Sequence, residues 1–452
     1  MRILLILECK RLLRERGALL ALAVLMAACL LAFASGRALI TEQIAGRAAS
    51  QREDQAALTA FATSLRSDLP PEEAILHPYR LTFGVLAPLP PLVDFSAGRA
   101  SFENYSTAVN LRARPDTLFK RTQTGNAELL VRGGFDMGLV VTVLAPLLLI
   151  ALGYGLFSSD RDSGVAKLLL AQAGSPWRLL LLRSLPRLAL VLLPLMVTAL
   201  TLFAVGPALQ GRTHALFNWL LIGAAFVLFW WAVVLWVNSF HIDAETCALV
   251  LICFWALFTL ALPAALSALA QASYPPPSRL EQIAAIREAE VASTTGYEND
   301  HPDLVSEGLE GRLASIRKSW AIAQQVQQAT QPLSQRFEDQ RAAQQQLVSR
   351  LAWLSPSVIA DQALQAQAGT DPRHWADFRR AARTYVDTFG SAVGGFVTRG
   401  EVIDPAAFAA LPRFDWHPQR TQSAPSLILL MLLSVLLITI ARHRFNQAAI
   451  SA

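Results

Sequence analysis

Four charged side chains, Asp160, Arg161, Asp162 and Lys167, fall within eight residues in the stretch FSSDRDSGVAKLLLAQAGSPWR, positions 157–178. Apolar residues fill the twenty positions before this stretch and most of the twenty after it. Mixed charge at this spacing suits polar docking rather than bond-making chemistry. If the stretch forms a short helix, Asp160 and Asp162 stand near its N-terminal end, where the helix dipole favours acids. Val165, Leu168, Leu169 and Gln172 then share one side. Two readings fit this pattern: a helix that touches a soluble protein, and an amphipathic linker lying on lipid.

Other chemistry was sought and is missing from the pattern. No G-x-x-x-x-G-K-[ST] occurs, so no phosphate-cradling loop with its lysine is expected. The seven histidines are scattered, and none pairs at i, i+4 around a glutamate as zinc hydrolysis requires. No G-x-S-x-G occurs. Cys9, Cys29, Cys247 and Cys253 lie in or beside apolar windows, which gives neither a disulfide framework nor a Cys–His metal pattern. The chain is therefore expected to be non-catalytic, with no cofactor or metal of its own.

The elements that must position the charged stretch are apolar. The chain has 452 residues, of which 53% are hydrophobic and 16% charged, against roughly 25% charged in soluble domains. Windows of about 20 uncharged apolar residues can cross about 30 Å of hydrocarbon as helices. They fall at 17–36, 137–157, 188–206, 216–237 and 246–268, with a shorter sixth at 424–441. The fold class expected is an all-α polytopic membrane protein with six crossings. Arg and Lys exceed acids in residues 1–16, in 158–187 and in the tail 442–452, all of which adjoin windows. That is the positive-inside pattern, and it argues against nucleic acid as the partner. It places both termini and the 158–187 segment in the cytoplasm of a bacterial inner-membrane protein. Segments 37–136 and 269–423 then face the periplasm, and neither contains cysteine. LAFASG at 31–36 has the small-x-small look of a cleavage site near Ala34. The length of the leading segment and its Glu8 and Glu15 favour an uncleaved first helix.

Residues 1–16 are amphipathic, suiting either an interfacial helix or a basic flank that orients the first crossing. Segment 37–136 opens with a polar, Ala-rich stretch expected to be helical to about Arg66, then turns Pro-rich. Pro146, Pro186, Pro194 and Pro263 are expected to kink their helices. In 269–423, Leu309, Leu313, Ile316, Trp320 and Ala323 repeat at helical spacing, and the rhythm resumes after Pro332. This predicts two helices folded back at Pro332, then a further helix over 371–397. With 15 basic and 17 acidic residues, the segment is expected to be water-exposed.

The chain also resembles a known group. The run GGFDMGLVVTVLAPLLLIALGYGLFSSDRDSGVAKLLLAQAGSP is similar to that of ABC-2-type transporter permease subunits of the DUF3526 family. The resemblance rests on Phe135-Asp136, Pro146-Leu147-Leu148, Ser159, Arg161, Gly164 and Ser175-Pro176. Asp160 and Asp162 stand where the family shows Glu, and Val165-Ala166 stand where it shows Thr-Leu. LSPSVIADQALQAQAGTD at 354–371 and FDW at 414–416 also resemble the family. The resemblance implies two permease subunits, identical or related, each docked on a separate ATPase that binds ATP and Mg. It implies an elbow helix at 1–16 and a coupling helix within 158–187, with Ser159, Asp160, Arg161, Asp162 and Gly164 at the ATPase contact. The implied function is ATP-driven movement of a substrate, by export. The alternative is mechanotransmission to periplasmic or envelope partners. A third class, a membrane-anchored binding module or sensor without an ATPase, also fits the layout.

Overall fold

The structure is a computed structural model that describes residues 8–12, 14–66, 70–98, 100, 103–111, 135–156, 176–275, 278–302, 308–418 and 423–448. Its main elements are helices. Residues 8–12 form a short helix. They are followed by α1 (Arg16–Ser64), α2 (Pro71–Arg80) and the strands β1 (Phe83–Leu86) and β2 (Ser106–Val109), which pair antiparallel with Phe83 opposite Val109. Next come α3 (Met137–Gly153), α4 (Pro176–Val205), α5 (Arg212–Asn238) and α6 (Ala244–Ser273). The chain continues with α7 (Arg279–Asp300), α8 (Gly308–Leu351), α9 (Pro356–Ala368), α10 (Pro372–Arg399), α11 (Pro405–Ala409) and α12 (Ala424–Ala448).

Five described helices, α1, α4, α5, α6 and α12, are long and apolar enough to cross a membrane. The expected second crossing is the shorter apolar helix α3, followed by a turn through Leu156. α5 is the hub of this bundle. Trp219, Phe226, Trp230 and Leu235 are all buried in it, and α3, α4, α6, α9 and α12 surround it. α1 supplies a seam of Ala18, Ala21, Leu25, Ala28, Ala32 and Gly36, mostly small residues that let backbones approach closely. A Cβ at Gly36 would lie 2.2 Å from the Asp94 carbonyl oxygen, so the loop after β1 can settle on α1 only at a glycine.

α1 does not stop at residue 36. It runs unbroken to Ser64, and its buried seam continues through Ile40, Gln43 and Arg47 into a second hydrophobic core. That core joins α1, both strands and the apolar face of α10, where Trp375, Phe378, Ala382, Val386, Phe389, Val393 and Val397 recur every three or four residues. The helix expected over 371–397 is α10. The polar stretch expected to be helical after residue 36 is the C-terminal half of α1.

Three expectations about 269–423 change. α8 continues through Pro332 instead of folding back, and its antiparallel partner is α7. The apolar rhythm at Leu313, Ile316 and Trp320 serves α2 and α10: Leu313 joins Ile75 and Leu76, while Trp320 lies against Gly390 and Gly394. Residues 355–371 are not a water-exposed surface. Ala360, Leu364 and Ala368 are fully buried in the core of the apolar bundle.

α3 and α6 each contain one turn of π-helix, at Val140–Leu144 and Leu257–Ala261. In both, a proline follows two residues later, Pro146 and Pro263. Proline lacks an N–H and its ring crowds the preceding turn, and a widened turn accommodates it. Pro186 and Pro194 lie within α4 and leave it a continuous α-helix.

Candidate functional site

Ser159, Asp160, Arg161, Asp162 and Gly164 lie outside the described residues. What the structure places is the root of the segment that carries them, at the end of the bundle bearing residues 8–12. Here Leu156 ends the turn after α3, and α4 begins at Pro176. Arg183 Nη1 donates to the Leu156 carbonyl at 3.1 Å. Arg183 Nε is 3.2 Å from Glu8 Oε1, and Arg187 Nη1 is 4.0 Å from Glu8 Oε2. Arg187 Nη1 also donates to the Arg183 carbonyl at 2.6 Å. All three side chains are largely buried, so water screens these charges little. Asn238 Nδ2, at the end of α5, donates to the Gly153 carbonyl at 3.0 Å. One carbonyl at the end of α3 and one in the turn after it are thus closed by side chains of α5 and α4.

One carboxylate on the N-terminal helix holds two guanidiniums one turn apart on α4, and one of those guanidiniums holds the end of α3. The N-terminal helix, α4 and the turn after α3 therefore meet in one cluster of contacts. Of these residues, Arg183 and Arg187 stand out in the sequence as charges at a window's edge. Glu8 does not, because it reads as one acid in a basic amphipathic flank.

A second knot closes the opposite end of the bundle. Arg212 and Asp94 form a two-pronged ion pair at 2.7 and 3.2 Å, with side chains 3% and 0% exposed. Arg212 Nη1 also donates to the Pro91 carbonyl at 2.8 Å. The adjoining loop is held from several sides. Trp219 Nε1 donates to Ser96 Oγ at 3.2 Å, and Thr370 Oγ1 donates to the Ser96 carbonyl at 2.8 Å. Asp136 caps α3 by accepting from Leu139 N at 2.8 Å, and it accepts from Ala97 N at 2.7 Å. A Pro-rich loop thereby ties α1, α3, α5 and the end of α9 together. Asp94 and Arg212 are far apart in sequence and carry no local motif, so only the fold reveals the pair.

The stretch that includes α9 also decides the comparison with known proteins. Residues 296–417 match the family model described as a domain of unknown function, DUF3526. No curated protein and no solved structure matches the chain. The matched segment runs from the end of α7 through α8, α9, α10 and α11 to His417. It therefore includes both the helix sunk into the bundle and the α10 side of the second core. Among the described residues, no group of three or more His, Cys, Asp or Glu side chains is placed to hold a metal.

Proposed function

We propose that the chain is the transmembrane permease subunit of an ABC-2-type transporter in a bacterial inner membrane, with both termini in the cytoplasm. A separate ATPase, holding ATP and Mg, docks on Ser159, Asp160, Arg161, Asp162 and Gly164. A second permease subunit, identical or related, completes the pore, and the cycle exports a substrate. The observation that carries this reading is the Glu8–Arg183–Arg187 clamp. It gathers the N-terminal helix and both roots of the 157–175 segment into one buried unit, as a docking element that must move helices requires.

One observation favours a second reading, in which the same couple moves envelope partners and no substrate crosses. α8 is a single helix of 44 residues, about 66 Å long, that leads from the hairpin tip to the bundle core beside α6. A lever of that kind would carry motion outward.

Reversing the charges in the double variant Arg161→Glu, Asp162→Arg should leave insertion intact and uncouple ATP hydrolysis from activity. Vesicle transport and ATPase rate, measured with the co-purified ATPase, check this. Unchanged coupling counts against docking at this segment. ATP hydrolysis that drives no vesicle uptake, yet is required for function in cells, selects the second reading.

A further inference from the structure

A groove of about 470 Å³ opens to solvent where α1 passes the second core. Arg47, Gln51, Ala87, Leu89, Phe414 and Trp416 are among its lining residues. The walls come from α1, from the chain leaving β1, and from the FDW tripeptide at the end of the DUF3526 segment. Arg47 supplies the cation and is 7% exposed. Its Nε donates to the Ala87 carbonyl at 3.2 Å and its Nη1 to Gln43 Oε1 at 2.8 Å. Its Cζ lies 4.3 Å from the centre of the Tyr105 ring. Among the described residues, the buried Nη2 has no hydrogen-bond partner. Among the described residues the acceptors of Arg47 are neutral, and a buried guanidinium so placed is costly; an incoming anion would remove that cost. Asp415 also lines the groove, but its side chain is 80% exposed and lies 3.2 Å from His417. Water screens that carboxylate far more than it screens Arg47.

Arg47 in a groove with aromatic and aliphatic walls suits a carboxylate on an apolar body, with a turn of its side chain bringing the buried Nη2 to the groove. Position distinguishes the sources of such a group. Arg47 lies eleven residues beyond Gly36 on the unbroken helix α1, about 16 Å further along its axis. Headgroups extend only about 5–8 Å beyond the hydrocarbon, so lipid carboxylates and phosphates stay below the groove. We propose that the groove binds the free C-terminal carboxylate of a soluble peptide with apolar final residues, the carboxylate on Arg47 and the side chains against Phe414 and Trp416. This inference does not depend on the transport reading or on an ATPase.

The test is calorimetric titration of the full chain in lipid nanodiscs with N-acetyl-Ala-Phe-Leu, as the free acid and as the C-terminal amide. The acid should bind, and the amide should bind about tenfold or more weakly, since a charge-assisted hydrogen bond separates them. Arg47→Gln should abolish that difference. The acid–amide comparison on the unaltered protein holds even if the variant fails to fold. Equal affinity for acid and amide, or no binding of either up to about 1 mM, overturns the proposal. Displacement of the acid by equimolar acetate, or by phosphatidylglycerol added to the nanodisc, also overturns it, by reassigning the groove to a small anion or a lipid.

Discussion

His374 shows how a single side chain can set the pH response of the second core. Its ring lies against Trp375 and Trp416, with centroids 5.5 and 5.1 Å away. Burial pushes its pKa down to about 4, and the charge of nearby Asp377 only partly opposes this. The unfolded chain therefore takes up this proton before the folded one does. Stability from the neutral ring is complete above about pH 6.5 and is lost as pH falls toward 4, by up to about 3 kcal/mol. Burial raises the Asp371 carboxyl, which works in the opposite sense, so the informative measurement is a difference. Thermal unfolding of this core should weaken less between pH 6.5 and 4 in His374→Gln than in the unaltered protein. Parallel slopes would remove His374 from the account. Nothing in the sequence separates His374 from the other six histidines. Its setting comes from Trp416, which the fold returns to it from the far side of α10.

At the level of elements, the π-turn of α6 leaves a carbonyl that Pro263 cannot serve. Ser355 fills the gap: its Oγ donates to the Phe258 carbonyl at 2.7 Å and also accepts from Val358 N, capping α9. Thr259 and Ser357 meet beside it at 3.2 Å. Ser355→Ala should cost about 1–3 kcal/mol, because it orphans a buried carbonyl and removes a helix cap together. Chemical denaturation in detergent can read this, and a loss below about 0.5 kcal/mol would place another donor on Phe258. The ends of α9 are legible in the sequence: Ser355 as cap, Pro356 in the first turn, and Gly369 at φ +73° closing the helix with Thr370 N on the Gln365 carbonyl. Its burial is not legible. Asp361, Gln362, Gln365 and Gln367 make the stretch look like a solvated surface, and only contact with α5 and α6 shows that its alanines face a core. The same limit applies to α8. Pro332 looks like a corner, but the helix tolerates it because packing along α7 on one side outweighs one lost hydrogen bond.

Across the whole molecule, five of the six apolar windows reappear in helices long and apolar enough to cross a membrane, and the window at 137–157 begins as the shorter helix α3, because hydrophobicity and length are local properties. The division of labour around them is not local. α1 belongs to both cores, so the second core is built on the same rigid helix as the bundle. The orientation proposed above predicts opposite accessibility for two engineered thiols in a background lacking Cys9, Cys29, Cys247 and Cys253. A membrane-impermeant maleimide applied to cells with a permeabilised outer membrane should label Thr388→Cys, whose position is exposed, and spare Ser159→Cys until the inner membrane is opened. Labelling of Ser159→Cys before that point would invert the topology and remove the docking proposal with it.

The position of α9 also constrains how the chain is made. It belongs to a segment that follows α6 in the order of synthesis, yet its resting place is against α5 and α6, with α12 alongside. A ribosome delivers those three helices as separate apolar stretches, the last of them some fifty residues after α9. The gap beside α5 can therefore be filled only when α9 turns back into a partly built assembly, and the final C-terminal helix then joins from the side. That side of α5 therefore stays open until a stretch made well after α6 returns to cover it.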